Sequence, residues 1–121
     1  MSIDDQMTLI TALIRPHMEG HVVRALHDLS DFPGFTFTQV RGQGRGRGAG
    51  GHYVSSETDL TYRQFLELRL VCRIELADEI CHRIASAAWT GRKGDGVVFT
   101  TMVHSFARIR EIGQHPEERD D

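Results

Sequence analysis

Residues 7–14, Met-Thr-Leu-Ile-Thr-Ala-Leu-Ile, are nearly all apolar or β-branched, the pattern of a central strand buried on both faces. Arg15 and Pro16 close it, because proline has no N–H to give a strand ladder. Met18, Val22, Ala25, Leu26 and Leu29 follow at helical spacing and predict an amphipathic helix over 17–29. Turn chemistry at Asp31-Phe-Pro-Gly34 leads into 35–40, where Phe35 and Phe37 alternate with Thr36 and Thr38 as a second strand. The strictest alternation sets Leu66, Leu68, Leu70, Cys72 and Ile74 against Glu67, Arg69, Val71 and Arg73, a third strand with one buried face. Leu76, Ile80, Ile84 and Ala88 form the stripe of a second helix, and 97–103 reads as a fourth strand.

The segments between these elements carry the unusual composition. Residues 41–51, Arg-Gly-Gln-Gly-Arg-Gly-Arg-Gly-Ala-Gly-Gly, hold six glycines and three arginines and have nothing with which to pack a core. With no sustained periodicity before Tyr62, they predict a flexible, positively charged loop of about 20 residues, a length that is usually functional. The order strand, helix, strand, long loop, strand, helix, strand gives an α+β class, a ferredoxin-like βαββαβ sandwich with both helices on one face of an antiparallel sheet. The third strand cannot feed a helix layer and also cover the other face, so that face calls for oligomerisation. Arg108 and Arg110 are expected to share one face of an extended segment, and the acidic end of the chain, 114–121, is expected to be disordered.

A chain of 121 residues suits a single domain, 1–121, and its net charge of −3 argues against nucleic-acid binding by the whole surface. No apolar run approaches the ~20 residues of a membrane span and no signal-peptide pattern opens the chain. The two cysteines, Cys72 and Cys81, stand in apolar contexts, as reduced thiols of a cytoplasmic protein would.

Thr90-Gly-Arg-Lys-Gly-Asp-Gly96 is the first candidate site. Its three glycines let the backbone turn sharply and offer N–H groups to an anion, Arg92 and Lys93 add charge, and Asp95 is placed to fix the turn or accept from a ligand hydroxyl. It is neither a P-loop nor a GxGxxG turn, and a tight connection is the bland alternative. Paired guanidiniums at Arg108 and Arg110 suit phosphate oxygens, against a bland reading as a solvated edge. The arginine–glycine loop resembles RNA-binding RGG tracts but has a single following aromatic, Tyr53, so a loop that orders on a protein partner is the better reading. His17 and His21 at i, i+4 and His52 in the loop are metal candidates without a completing ligand set. No catalytic constellation stands out, which favours a binder over an enzyme.

Taken together, these segments resemble the P-II signal-transduction proteins over roughly 7–113. The resemblance rests on Leu13-Ile-Arg-Pro16, on Gly34-Phe-Thr-Phe-Thr-Gln-Val-Arg-Gly42 with Gly44-Arg45 at the loop entrance, and on Thr90-Gly-Arg-Lys-Gly-Asp-Gly-Val-Val-Phe99 with Arg108-Ile-Arg110. It implies a homotrimer binding ATP, ADP or AMP in clefts between subunits, with a T-loop (here 42–62) that docks on a transporter, channel or enzyme. By position, Gly94, Asp95 and Gly96 would present backbone and carboxylate to the nucleotide, and Gly42, Gly44 and Arg45 would contribute from the loop base. Ile14 would lie beside the adenine, while Arg108 and Arg110, with Thr36 nearby, would come from the neighbouring subunit.

The chain departs from the family pattern at informative places. Two phosphate-binding lysines of the family pattern fall at Val97 and at or near Phe65, and Lys93, Arg45 or Arg47 are candidates to compensate. A glutamine that helps hold Mg²⁺ and 2-oxoglutarate is Gly46, and a modified tyrosine is Thr58. The Gly-Arg-Gly-Arg-Gly loop followed by His52 and Tyr53 resembles members found beside heavy-metal efflux pumps, which implies a membrane transporter as partner. The alternative is a metal-binding trimer similar to the divalent-cation tolerance proteins.

Overall fold

The computed structural model describes residues 6–43 and 62–113. Strand β1 (Met7–Ile14) is followed by a 3₁₀ turn at Pro16–Met18 and helix α1 (Glu19–His27). Strands β2 (Thr36–Gly42) and β3 (Arg63–Arg73) precede a second 3₁₀ turn, helix α2 (Ala77–Ala88), strand β4 (Gly96–Met102) and a short helix α3 (Ile109–Ile112). The sheet order is β2-β3-β1-β4 with every neighbour antiparallel, the ferredoxin-like arrangement expected. Among the described residues, no helix is long and apolar enough to cross a membrane.

Alternation along each strand sorts the side chains. Ile10, Ala12 and Ile14 of β1 and Leu66, Leu68, Leu70 and Cys72 of β3 form one buried layer. Val22 and Leu26 of α1 and Ile80, Ile84 and Ala88 of α2 close over it. Burying each of these large side chains contributes about 1.5–3 kcal/mol, so this layer is the source of most of the fold's stability. The thiol of Cys72 lies in the layer, where burial, first, pushes it up to about 11, and both cysteines are free. An edge-to-face set of His27, Phe32, Phe35 and Phe37 closes the turn between α1 and β2, with ring centroids 5.0–5.8 Å apart.

The other sheet face has no helix over it. Val97 and Phe99 are 54% and 50% exposed there, and the same parity places Leu9, Leu13, Val40, Phe65 and Val71 beside them. The first strand is therefore fully buried on one face only, and its other side chains are mostly half-covered.

Three boundaries differ from the sequence reading. The first helix begins as a 3₁₀ turn at Pro16–Met18, with proline at a first position that needs no N–H donor. Arg41 and Gly42, which composition marks as loop, belong to β2, and β3 begins at Arg63 rather than Leu66, because the β2–β3 pairing runs out to Gly42 and Arg63. The extended segment expected at 108–110 is replaced by α3: Glu111 and Ile112 donate to the Arg108 carbonyl at 2.9 and 3.1 Å, and Gly113 donates to Ile109. Helical winding of about 100° per residue ends the alternation that was to place Arg108 and Arg110 on one face.

Candidate functional site

The 90–96 turn joins the end of α2 to the start of β4, and one carboxylate organises it. Asp95 accepts from the Thr90 N–H at 2.7 Å, from the Thr90 hydroxyl, and from Arg15 Nε at 3.1 Å. Arg15 also donates to the Lys93 carbonyl, and the Arg92 N–H donates to the Thr90 hydroxyl at 3.2 Å. The last residue before Pro16 is thus tied to the turn from across the sheet. These bonds to the charged form, the Thr90 hydroxyl first and the Thr90 N–H next, hold the Asp95 carboxyl below its ordinary value of 3.8. Asp95 therefore fixes the turn, the first of its two expected roles.

Glycine is favoured at two of the turn's positions, at Gly96 by a close backbone approach and at Gly94 by its left-handed φ. At Gly96 a Cβ would lie 1.8 Å from the Leu13 carbonyl oxygen, on a backbone with φ +113°. At Gly94, with φ +85°, a Cβ would meet Arg63 Nη1 at 2.7 Å and Arg15 Nη2 at 3.4 Å. Two guanidiniums therefore converge on one glycine, and Arg92 and Lys93 stand exposed on the same turn. The pair Gly42–Arg63 brings both stems of the long loop to this end of the sheet, where the Arg41 guanidinium lies 5.8 Å over the Tyr62 ring.

The remaining expected residues lie elsewhere. Ile14 is 2% exposed and belongs to the core layer; the alternation of β1 gives the position on the open face to Leu13, opposite Val97. Thr36 is exposed at the start of β2, opposite Arg69. Arg108 is at the far end of the sheet, its guanidinium 5.5 Å from the Phe106 ring, where it lines a cavity of about 230 Å³ with Asp31, Val71, Arg73 and Glu111. The length of β1 separates that end from the 90–96 turn by roughly 23 Å at the usual strand rise. Arg110 is exposed in α3. Gly44, Arg45, Arg47, His52 and Tyr53 lie outside the described residues, as does the 114–121 tail. Among the described residues, His17 and His21 included, no group of three or more metal-ligating side chains gathers.

Arg15 and Arg63 are the functional candidates that pattern reading passed over. Arg15 reads as a strand terminator, and Arg63 falls between the loop's end at Tyr62 and the alternation that starts at Leu66. The signal for Arg63 is its parity with Phe65 and Glu67, but that has meaning only once Gly42 is known to be its partner.

Comparison with known proteins settles the family. The family model described as nitrogen regulatory protein P-II matches residues 7–112. The chain belongs to the P-II family. It is 36% identical to the nitrogen regulatory protein P-II of Synechocystis and 34% identical to that of Azospirillum brasilense, each over 86% of this chain and 92% of the relative. GlnK of Escherichia coli is 30% identical over the same shares. Among solved structures, Arabidopsis thaliana PII bound to citrate superposes with a TM-score of 0.69 at 21% identity, covering 90% of this chain and 89% of that one. The P-II fold and a signal-transduction role come with that membership.

Two outcomes follow from the turn's construction. Gly96→Ala forces β4 away from the Leu13 carbonyl and should destabilise the P-II fold by roughly 2–4 kcal/mol in urea unfolding. Wild-type stability in this variant would mean that the close approach is absent. Because the Asp95 pKa is lower folded than unfolded, the network's contribution is whole above the unfolded value near 3.8 and is lost as pH falls through the folded one. Emission of the sole tryptophan, Trp89, whose indole lies against Gly91, should stay flat from neutral pH to about 4.5 and change below about 3.8. A change centred between about pH 5 and 6 contradicts this account.

Proposed function

We propose that this P-II protein is a homotrimeric regulator that binds adenine nucleotides, ATP, ADP or AMP, in clefts between its subunits. Its T-loop, 42–62, then acts on a membrane transporter. The observation that carries this reading is the division of cationic residues between the two ends of the sheet. Arg15, Arg63, Arg92 and Lys93 stand at the 90–96 end, and Arg108 stands roughly 23 Å away, too far for one small ligand to engage both sets within one chain.

The apolar open face supports an assembly that closes this gap. An exposed patch built from Val97, Phe99, Leu13 and their neighbours favours burial against copies of itself. A cyclic arrangement lets the 90–96 end of one subunit meet the Arg108 end of the next. Phosphates suit both ends, since guanidiniums bind them through paired, charge-assisted hydrogen bonds. The adenine would lie on the half-covered face near Leu13. A nucleotide touching the T-loop base at Gly42 differently in two loop states shifts their populations, which is regulation without catalysis.

Calorimetry with ATP, ADP and AMP tests this. Binding of at least one at millimolar concentration or better is expected, and Arg108→Ala should weaken the phosphate-rich ligands by about 1–3 kcal/mol. Absence of binding by all three at millimolar concentration overturns the reading.

A further inference from the structure

The 90–96 end of the sheet carries more positive charge than its own carboxylate can answer. Asp95 is engaged by Thr90 and Arg15, and among the described residues Arg63, Arg92 and Lys93 have no ion-pair partner. Among the described residues, Asp95 is the one carboxylate set against the two guanidiniums at Gly94 and it faces Arg15, so the charge of Arg63 is left for a multivalent anion between them to answer. The two differ in freedom. Arg15 is held by Asp95 and by the Lys93 carbonyl, whereas Arg63 is exposed and its guanidinium reaches in over the glycine.

The positions expected to carry phosphate-binding lysines are Val97 and Phe65, both on the open face and both without charge. Arg63 shares the face of Phe65, one pleat nearer the strand end, and its longer side chain extends to Gly94. It is also the first residue of β3, paired with the last residue of β2, so the long loop rejoins the sheet at Arg63 itself.

We infer that Arg63 and the fixed Arg15 form a two-guanidinium clamp over Gly94 that takes the outermost phosphate of a phosphoanhydride chain. Through Arg63, occupancy of the clamp is tied to the stem of the long loop. This inference rests on the nucleotide reading above for the identity of the ligand, and on the contacts at Gly94 for the clamp. With the base on the sheet face at Leu13, the phosphate chain runs outward past the strand ends, and its length decides whether the clamp is reached. AMP falls short of it, and ATP closes it. Arg63 is accordingly a specificity-determining residue, selecting for chain length.

The test is calorimetry of ATP, ADP and AMP on the wild-type protein, Arg63→Ala and Arg63→Lys. Arg63 is exposed at a strand end, and wild-type melting of both variants serves as the folding control. Arg63→Ala should weaken ATP roughly 10- to 100-fold and change AMP less than about twofold, with Arg63→Lys in between because it keeps the charge and loses the fork. Equal losses for ATP and AMP, or no loss for ATP, overturn the inference. Should the wild-type protein bind none of the three, the nucleotide reading fails, and the clamp is then judged with inorganic pyrophosphate followed by Trp89 emission. A saturable response that Arg63→Ala abolishes supports it, and no response up to about 10 mM overturns it.

Discussion

The Asp95 carboxylate is the tie on which the functional end of this molecule depends. It joins the chain just past α2, through Thr90, to the residue just past β1, Arg15. These elements are far apart in sequence. Without the tie, a turn with glycines at 91, 94 and 96 would have many conformations of similar energy. With it, the Gly94 backbone sits under two guanidiniums, and β4 starts close enough to β1 that no side chain fits at Gly96. Charge arranged around a fixed turn is what the proposed phosphate contact relies on.

The core enforces a second constraint. One sheet face is covered by α1 and α2, and covering it uses the apolar side chains of alternate positions on β1 and β3. The remaining positions leave a face on which Leu13, Val97, Phe99 and Phe65 stand among Thr11, Glu67 and Arg69, and cations lie beyond both ends of the strands. The fold of one chain thus holds the two cationic ends of the proposed site apart, and burying the face between them against copies of the chain is the proposed way to bring them together. Assembly and ligand binding are, on this account, one event seen from two sides. The long loop enters because both its stems end at the 90–96 turn.

Much of this was legible from residue patterns. The alternation of Leu66 to Cys72 and the helical stripes at Val22–Leu26 and Ile80–Ile84 reflect core burial, which dominates the energetics and writes itself into periodicity. The glycines and Asp95 of the turn were legible for a similar reason, since steep backbone demands leave few residue types. Ile14 lies in the core layer and Leu13 on the open face, a distinction hidden in the sequence because both are apolar and pattern does not say which side the helices cover. The helix at 109–112 hid behind an Arg-Ile-Arg alternation, although Ile109, Ile112 and Gly113 have helical spacing and a stop. Arg63 was invisible because its importance comes from a strand pairing and a contact over Gly94, neither of which leaves a local signature.

The central claim is that the site is completed by two chains, and mixed oligomers test it most directly. Arg108→Ala damages one end of the sheet, and Gly94→Asp damages the other by placing a Cβ and a carboxylate among the guanidiniums. Each variant alone should bind ATP weakly. After dissociation and joint reassembly in equal amounts, verified by mass, roughly a quarter of the clefts should regain wild-type affinity, because each such cleft takes its intact half from a different subunit. Mixed oligomers with no cleft of wild-type affinity would contradict the account, because they would place both halves of the site within one chain.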